Sequence, residues 1–211
     1  MRRSLASLAL VAACAKPAVL APAAPACPAD RKLVLASQDD VARARACTSA
    51  ASVVVRTGAA VDLAPLVQLA TIDGDLVIGP TVGVDELALP NLRTVGGAIR
   101  VAANGSLRGL YLPHLERARQ IEIDGNVVLT TVSLPRLAAV DGALLVTDNA
   151  ALEAIDASAL VSIGKELAIT GAPLLVLVEL GRLVKDTGIR LERVPALPED
   201  VRERLGKPAP P

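Results

Sequence analysis

Aromatic side chains are almost missing from this chain: among 211 residues there is no Phe, no Trp and one Tyr, Tyr111. That removes the base-stacking platforms of single-strand nucleic-acid binders, the aromatic cages that hold cations, and the usual anchors of protein interfaces. One histidine and three cysteines leave little for metal or nucleophile chemistry. Neither sign of charge is in excess, with 22 basic and 22 acidic residues, so no electrostatic footprint for nucleic acid exists. Beyond the N-terminus no apolar run approaches the roughly 18 residues that span a bilayer. What is present is a chain 52% apolar and only 21% charged, which argues for a folded core rather than disorder. That core must be built from Leu, Val, Ile and Ala.

The N-terminus has the layout of a secretory signal: Met1-Arg2-Arg3, an apolar run from Ser4 to Ala13, then Cys14. Val11-Ala12-Ala13-Cys14 resembles the bacterial lipobox, in which the cysteine is acylated and becomes the new N-terminus, held on a membrane by its acyl chains. Ala15, rather than Asp, follows the cysteine, which by resemblance to lipoprotein sorting points to the outer membrane. The alternative is an ordinary signal cut after one of the Ala-Pro-Ala triplets between Ala21 and Ala26. Cysteine parity favours the lipid: with Cys14 acylated, Cys27 and Cys47 remain and can pair in an oxidising compartment. Residues 1–13 then form the signal peptide and 14–29 an Ala/Pro-rich tether. Loss of Arg2 and Arg3 leaves 20 basic against 22 acidic residues, a net −2, and no basic membrane patch.

The decisive feature is a repeat. Leu89-Pro90-Asn91-Leu92, Leu112-Pro113-His114-Leu115 and Leu134-Pro135-Arg136-Leu137 recur at spacings of 23 and 22, and Leu160 and Leu183 continue the series. The register defines six coils with six apolar positions each, such as Leu76, Ile78, Val84, Leu87, Leu89 and Leu92 in the second. The first coil reads Val53, Val55, Val61, Ala64, Leu66 and Leu69. Alternation at Leu76-Val77-Ile78 and again at Leu87-Ala88-Leu89 predicts two short strands per coil. Gly74, Gly97 and Gly142, two residues before the first strand, are expected at turns with positive φ. A single coil buries too little to offset its own backbone entropy, so the coils must stack. Their interior is narrow and filled by flat aliphatic layers, which accounts for the missing aromatics.

Asn104, Asn126 and Asn149 share one offset in the repeat and are expected to form an amide ladder that satisfies corner backbone groups. An open solenoid also needs capped ends. On the N-terminal side Leu33-Val34-Leu35 reads as a strand and Ser37 as the N-cap of a helix from Gln38 to Ala46. At the other end Ile189-Arg190-Leu191 reads as a partial seventh coil. A short helix from Pro198 to Leu205 follows, with Gly206 as its stop. The solenoid is thus placed at 30–195 and the C-terminal cap and tail at 196–211.

The motif Ile72-Asp73-Gly74-Asp75-Leu76-Val77-Ile78, with Leu89-Pro90-Asn91-Leu92-Arg93-Thr94-Val95-Gly96-Gly97, resembles the receptor L-domain-like family. This is the leucine-rich β-helix module of insulin-receptor-type ectodomains, also found in bacterial surface lipoproteins. The resemblance implies an all-β solenoid, a right-handed parallel β-helix of about six to seven coils with short helical caps, and Cys27 with Cys47 as its N-terminal capping disulfide. It further implies an extracytoplasmic recognition or scaffold module. Hormone-type binding does not carry over, because the second L domain, the cysteine-rich module and the aromatic-bearing face are all missing.

For chemistry the inventory is thin. The outward row of the first strands reads Val54, Val77, Arg100, Glu122, Leu145, Ala168, Arg190. Only Arg100 beside Glu122 could serve a polysaccharide lyase or hydrolase, and a cross-ladder ion pair is the expected reading. His114, in the variable slot of its motif, reads as a solvated corner residue. The Asp-Gly pairs do not follow calcium-loop spacing, and zinc lacks ligands, so neither cofactor nor metal is expected. The second outward row reads Pro65, Ala88, Tyr111, Ser133, Asp156, Glu179. Tyr111 with Ser133, Asp156 and Arg136 is the candidate binding patch, and the face with Val77 and Leu145 a second surface for a partner. The expected function is non-catalytic recognition or scaffolding of an envelope protein or glycan by a membrane-anchored lipoprotein. The alternatives are a β-helix polysaccharide enzyme and a purely structural envelope module.

Overall fold

A computed structural model describes residues 27–183 and 188–206. The leader, Cys14 and most of the tether therefore lie outside the described residues. The chain winds into a parallel β-solenoid of about seven turns. Its first wall is one parallel ladder running through Lys32–Leu35, Ser52–Thr57, Leu76–Thr81, Thr94–Ala102, Arg117–Asp124, Leu144–Thr147, Glu166–Thr170 and Gly188–Glu192. The second wall is a five-stranded parallel sheet of Glu86–Ala88, Gly109–Tyr111, Thr131–Ser133, Ala154–Ala157 and Leu177–Leu180. Observed pairs such as Leu76 with Ile99, Ile99 with Ile121, and Leu144 with Leu167 match the register read from the repeat.

The inward positions are buried as expected in all but three cases: Ala64 is exposed, and Leu180 and Leu183 are half-buried at the C-terminal end. In the first coil Leu63 fills the place assigned to Ala64. The chain there forms a short 3₁₀ helix, Ala64–Gln68, instead of a strand. Pro65 sits in its first turn, where the missing N–H costs nothing. The second sheet accordingly begins one coil later than the repeat suggests.

A third wall went unrecognised in the sequence. Ser49–Ala50, Thr71–Ile72, Ala139–Val140 and Ser162–Ile163 pair with one another or with the first residues of the long strands Thr94–Ala102 and Arg117–Asp124. Ala50, Ile72, Val95, Ala118, Val140 and Ile163 point into the core from this wall, a seventh apolar position per coil. Two-residue strands are too short to show alternation, which is why periodicity did not reveal them.

Gly74, Gly97 and Gly142 are not at positive φ; they are small because neighbouring coils touch there. A Cβ on Gly74 would lie 2.7 Å from the Ala51 carbonyl oxygen, and one on Gly97 would lie 2.6 Å from the Gly74 carbonyl carbon. The left-handed corner comes after the first strand, at Ala103, Gly125, Asp148, Gly171 and Arg193 in five successive coils, with φ between 49° and 70°.

Directly after that corner stand Asn104, Asn126 and Asn149, each fully buried. The Oδ1 atom of Asn126 accepts from both the backbone N–H and the Nδ2 of Asn104, at 3.2 and 2.8 Å. Asn149 does the same for Asn126 at 3.1 and 3.0 Å. Each Nδ2 also donates to a carbonyl of the preceding coil: Ile78, Val101 and Ile123. The amide ladder expected from the repeat is therefore present. Buried Thr81 begins it, donating to Asn104 Oδ1 at 2.8 Å.

Both ends are closed. Helix α1, Gln38–Ala44, starts at Ser37, whose hydroxyl accepts from the Asp40 N–H, and it ends two residues before the expected stop. Val41 and Ala44 on its inner face cover the first layer of the core. Cys27 and Cys47 are joined by a disulfide across this cap. Helix α2, Glu199–Gly206, brings Val201 and Leu205 against the last layer. Its Arg204 donates to the carbonyl of Val178 on the final strand of the second sheet.

Candidate functional site

The second sheet brings three of the four predicted patch residues into one outward row. Tyr111 pairs with Ser133 and Ser133 with Asp156, and Ala88 and Glu179 extend the row at either end. At the spacing of parallel strands the five residues span roughly 19 Å. Asp156 accepts one hydrogen bond, from the Ser158 N–H at 3.0 Å. Arg136 is exposed at the corner beyond the Thr131–Ser133 strand and is not in the row.

Tyr111 does not stand out from the sheet. Its ring folds back along its own strand and covers Gly109, where an added Cβ would lie 2.2 Å from Cε2 and 2.5 Å from the hydroxyl oxygen. Gly109 is buried as a result, and Tyr111 is half-buried. Beside Gly109 on the neighbouring strands stand Glu86 and Thr131. The ring thus lies between a carboxylate and a hydroxyl position, a setting that the spacing of outward residues alone did not reveal.

A groove adjoins this face. It encloses about 660 Å³ and is lined by Gln38, Asp62, Asp85, Glu86 and Arg108 among others. Gln38 holds one wall in place: its Nε2 donates to the Asp62 carbonyl at 3.1 Å, and its Oε1 accepts from the Asp62 N–H at 2.8 Å. Asp62 in turn accepts from the Ala64 N–H. Asp85, Glu86 and Arg108 have no side-chain hydrogen bond or ion pair among the described residues. None of these groove residues was read from the sequence as part of a site. Their signal was faint: Asp85 and Arg108 share one corner offset in neighbouring coils, joined by the Arg108 N–H to Asp85 carbonyl bond.

On the first sheet, Arg100 is held between two carboxylates: Nη1 is 3.2 Å from Asp75 Oδ2, and Nε is 3.1 Å from Glu122 Oε2. Glu122 also accepts from Gln120, and Asp75 from the Ala98 N–H. The expected ion pair is present, with Asp75 as a partner that the outward row did not include. Ala168, expected outward, is covered and only 1% exposed. His114 is not simply solvated: it is half-buried, with Nδ1 against the Pro90 carbonyl of the preceding coil. Asn91 makes the equivalent bond to Val67. Both side chains in this slot clamp one corner to the corner before it. Val77 and Leu145 are half-buried, whereas Leu174, Val176 and Leu177 of the last full coil are among the exposed apolar residues.

Among the described residues the one acid clearly shifted is Asp40, at the start of α1. Hydrogen bonds from the Ser37 hydroxyl and the Ala36 N–H, with the nearby Arg43 guanidinium, hold its carboxyl below the ordinary aspartate range. That is cap chemistry rather than a catalytic arrangement. Among the described residues no group of three or more His, Cys, Asp or Glu is placed to hold a metal ion. Comparison with known protein families, with characterised proteins and with solved structures finds no match to this chain.

Proposed function

We propose that this chain is a non-catalytic cell-envelope lipoprotein, anchored through Cys14 at the outer membrane, whose L-domain-like solenoid recognises or scaffolds a protein or glycan. The observation that carries this reading is the outward row of the second sheet. It sets Tyr111, Ser133 and Asp156 on a rigid surface beside a groove with unpaired charges. Surfaces of this kind, fixed by stacked repeats, suit recognition because binding orders little of the protein. The likeness to receptor L domains draws support from the parallel coils, the N-terminal helix and the Cys27–Cys47 bridge. A catalytic role on the first sheet is disfavoured because Arg100 is already neutralised by Asp75 and Glu122.

The test is capture of partners from envelope extract by the wild type and by Asp156→Lys, which reverses one half-buried charge in the row. Specific capture weakened by the variant supports the recognition reading; capture indifferent to it removes the patch. Cleavage of an anionic polysaccharide that disappears in Glu122→Gln would overturn the non-catalytic assignment. Mass spectrometry of the mature N-terminus addresses the anchor, and an unmodified start near Ala24 or Cys27 would exclude it.

A further inference from the structure

We infer that the Tyr111 ring and the adjoining groove form a saccharide site for an aminohexose chain, free or N-acetylated. This rests on the recognition reading and assigns its ligand class. Three observations converge on it. First, Tyr111 presents an aromatic ring laid back along its strand, with its hydroxyl-bearing edge against Gly109. Such a ring offers flat apolar area to the C–H face of a pyranose, with a hydroxyl at its edge for hydrogen bonding. Second, Glu86 links the ring to the groove. Glu86 pairs with Gly109 across the ladder and also lines the groove, and the folded-back hydroxyl of Tyr111 lies over Gly109, the residue next to Arg108.

Third, the polar groups have the right mixture. Arg108 is a donor fork, whereas Asp85 and Glu86 are acceptors, and none of them is committed elsewhere among the described residues. An acetamido group carries one N–H for a carboxylate and one C=O for the guanidinium, and a free ammonium answers the excess of acid over base. Asp62 adds to that excess, giving three acids to one arginine in the groove. The same excess repels uronate chains. The groove volume falls within the usual range for small-molecule sites.

Tyr111 being the sole aromatic residue, intrinsic fluorescence of the full-length protein reports this ring alone. Titration with a glucosamine pentamer or an N-acetylglucosamine pentamer is expected to change that emission saturably, and a galacturonate pentamer at the same concentrations is not. Glu86→Lys, on an exposed strand end, is expected to weaken both active pentamers about tenfold or more, the effect of losing a charge-assisted hydrogen bond. By calorimetry Tyr111→Phe should retain binding and Tyr111→Ser should lose it, while Arg190→Ala on the first sheet should change nothing. No saturable response to either amino sugar, equal binding of galacturonate, or affinity unmoved by Glu86→Lys would overturn the site. If the saccharides fail while envelope capture persists and ignores Tyr111→Ser, this site falls and the recognition reading stands; if capture is lost too, both fall.

Discussion

The ring of Tyr111 lies over the α-carbon of Gly109, two residues back on the same strand, and shields backbone that would otherwise face solvent. A side chain at position 109 would occupy the place of the ring's hydroxyl edge, so the ring's position depends on the glycine. Gly109→Ala is therefore expected to keep the fold, since the clashing atoms belong to the far end of a side chain that can swing away. The cost should be about 1 kcal/mol, with the tyrosine emission more readily quenched by acrylamide. Unchanged quenching would mean that the ring does not rest there.

Asn126 occupies the middle of the amide ladder, accepting two bonds from Asn104 and donating to Val101 and Asn149. Asn126→Ala strands several buried partners at once. A loss of about 3 kcal/mol or more is expected in denaturant titration, whereas a drop under 1 kcal/mol would show that water replaces the amide.

Ala103 and Gly125 hold the same left-handed corner in consecutive coils, at φ 54° and 60°. A Cβ on Gly125 meets nothing within 4 Å, so Gly125→Ala tests backbone strain alone. It should cost about 1 kcal/mol. The reverse change, Ala103→Gly, should be neutral or stabilising by a similar amount. Melting curves of the two variants that move in the same direction would contradict this.

The Cys27–Cys47 bridge ties the entry of the chain to the end of α1. Its reduction, or the double change to Ser, is expected to lower stability by about 3 kcal/mol through the freed loop. Hydrogen exchange should rise first in α1 and in the Lys32–Leu35 strand. Uniform loss of protection along the whole solenoid would show that the cap is not an independent unit.

Asp40 has its carboxyl pKa lowered by the Ser37 hydroxyl, the Ala36 N–H and Arg43. A depressed folded-state pKa means that its contribution is present above the ordinary aspartate value of 3.8 and is lost as pH falls below it through the folded value. Wild type should therefore lose helix-cap protection as pH falls below 3.8. Asp40→Asn should show less of that pH dependence in hydrogen exchange of α1.

Much of this fold was legible because inward positions repeat every 22 or 23 residues, and burial imposes that period on any stacked coil. The strand Leu33-Val34-Leu35, which pairs with Val53-Val54-Val55, was legible from its own alternation, whereas Leu76 with Ile99 and the ladder from Asn104 to Asn149 follow from that period. The candidate row Tyr111, Ser133, Asp156 was legible for the same reason. The third wall was not, since Thr71–Ile72 is too short to alternate. Nor was Ala64 distinguishable from an inward residue until Pro65 turned its coil into a 3₁₀ helix.

By itself the sequence determined the coil register, the aliphatic core and the alignment of outward residues, because these depend on which side of the chain each residue must bury. Tertiary structure alone decided how closely coils approach at Gly74 and Gly97, where the left-handed corners fall, and how Tyr111 folds onto Gly109 beside the groove of Glu86 and Arg108. The corners and the ring's direction are local torsions, and the close approaches join residues about one coil apart. A periodic apolar pattern specifies neither, since it encodes which face is buried and not which neighbour each side chain meets.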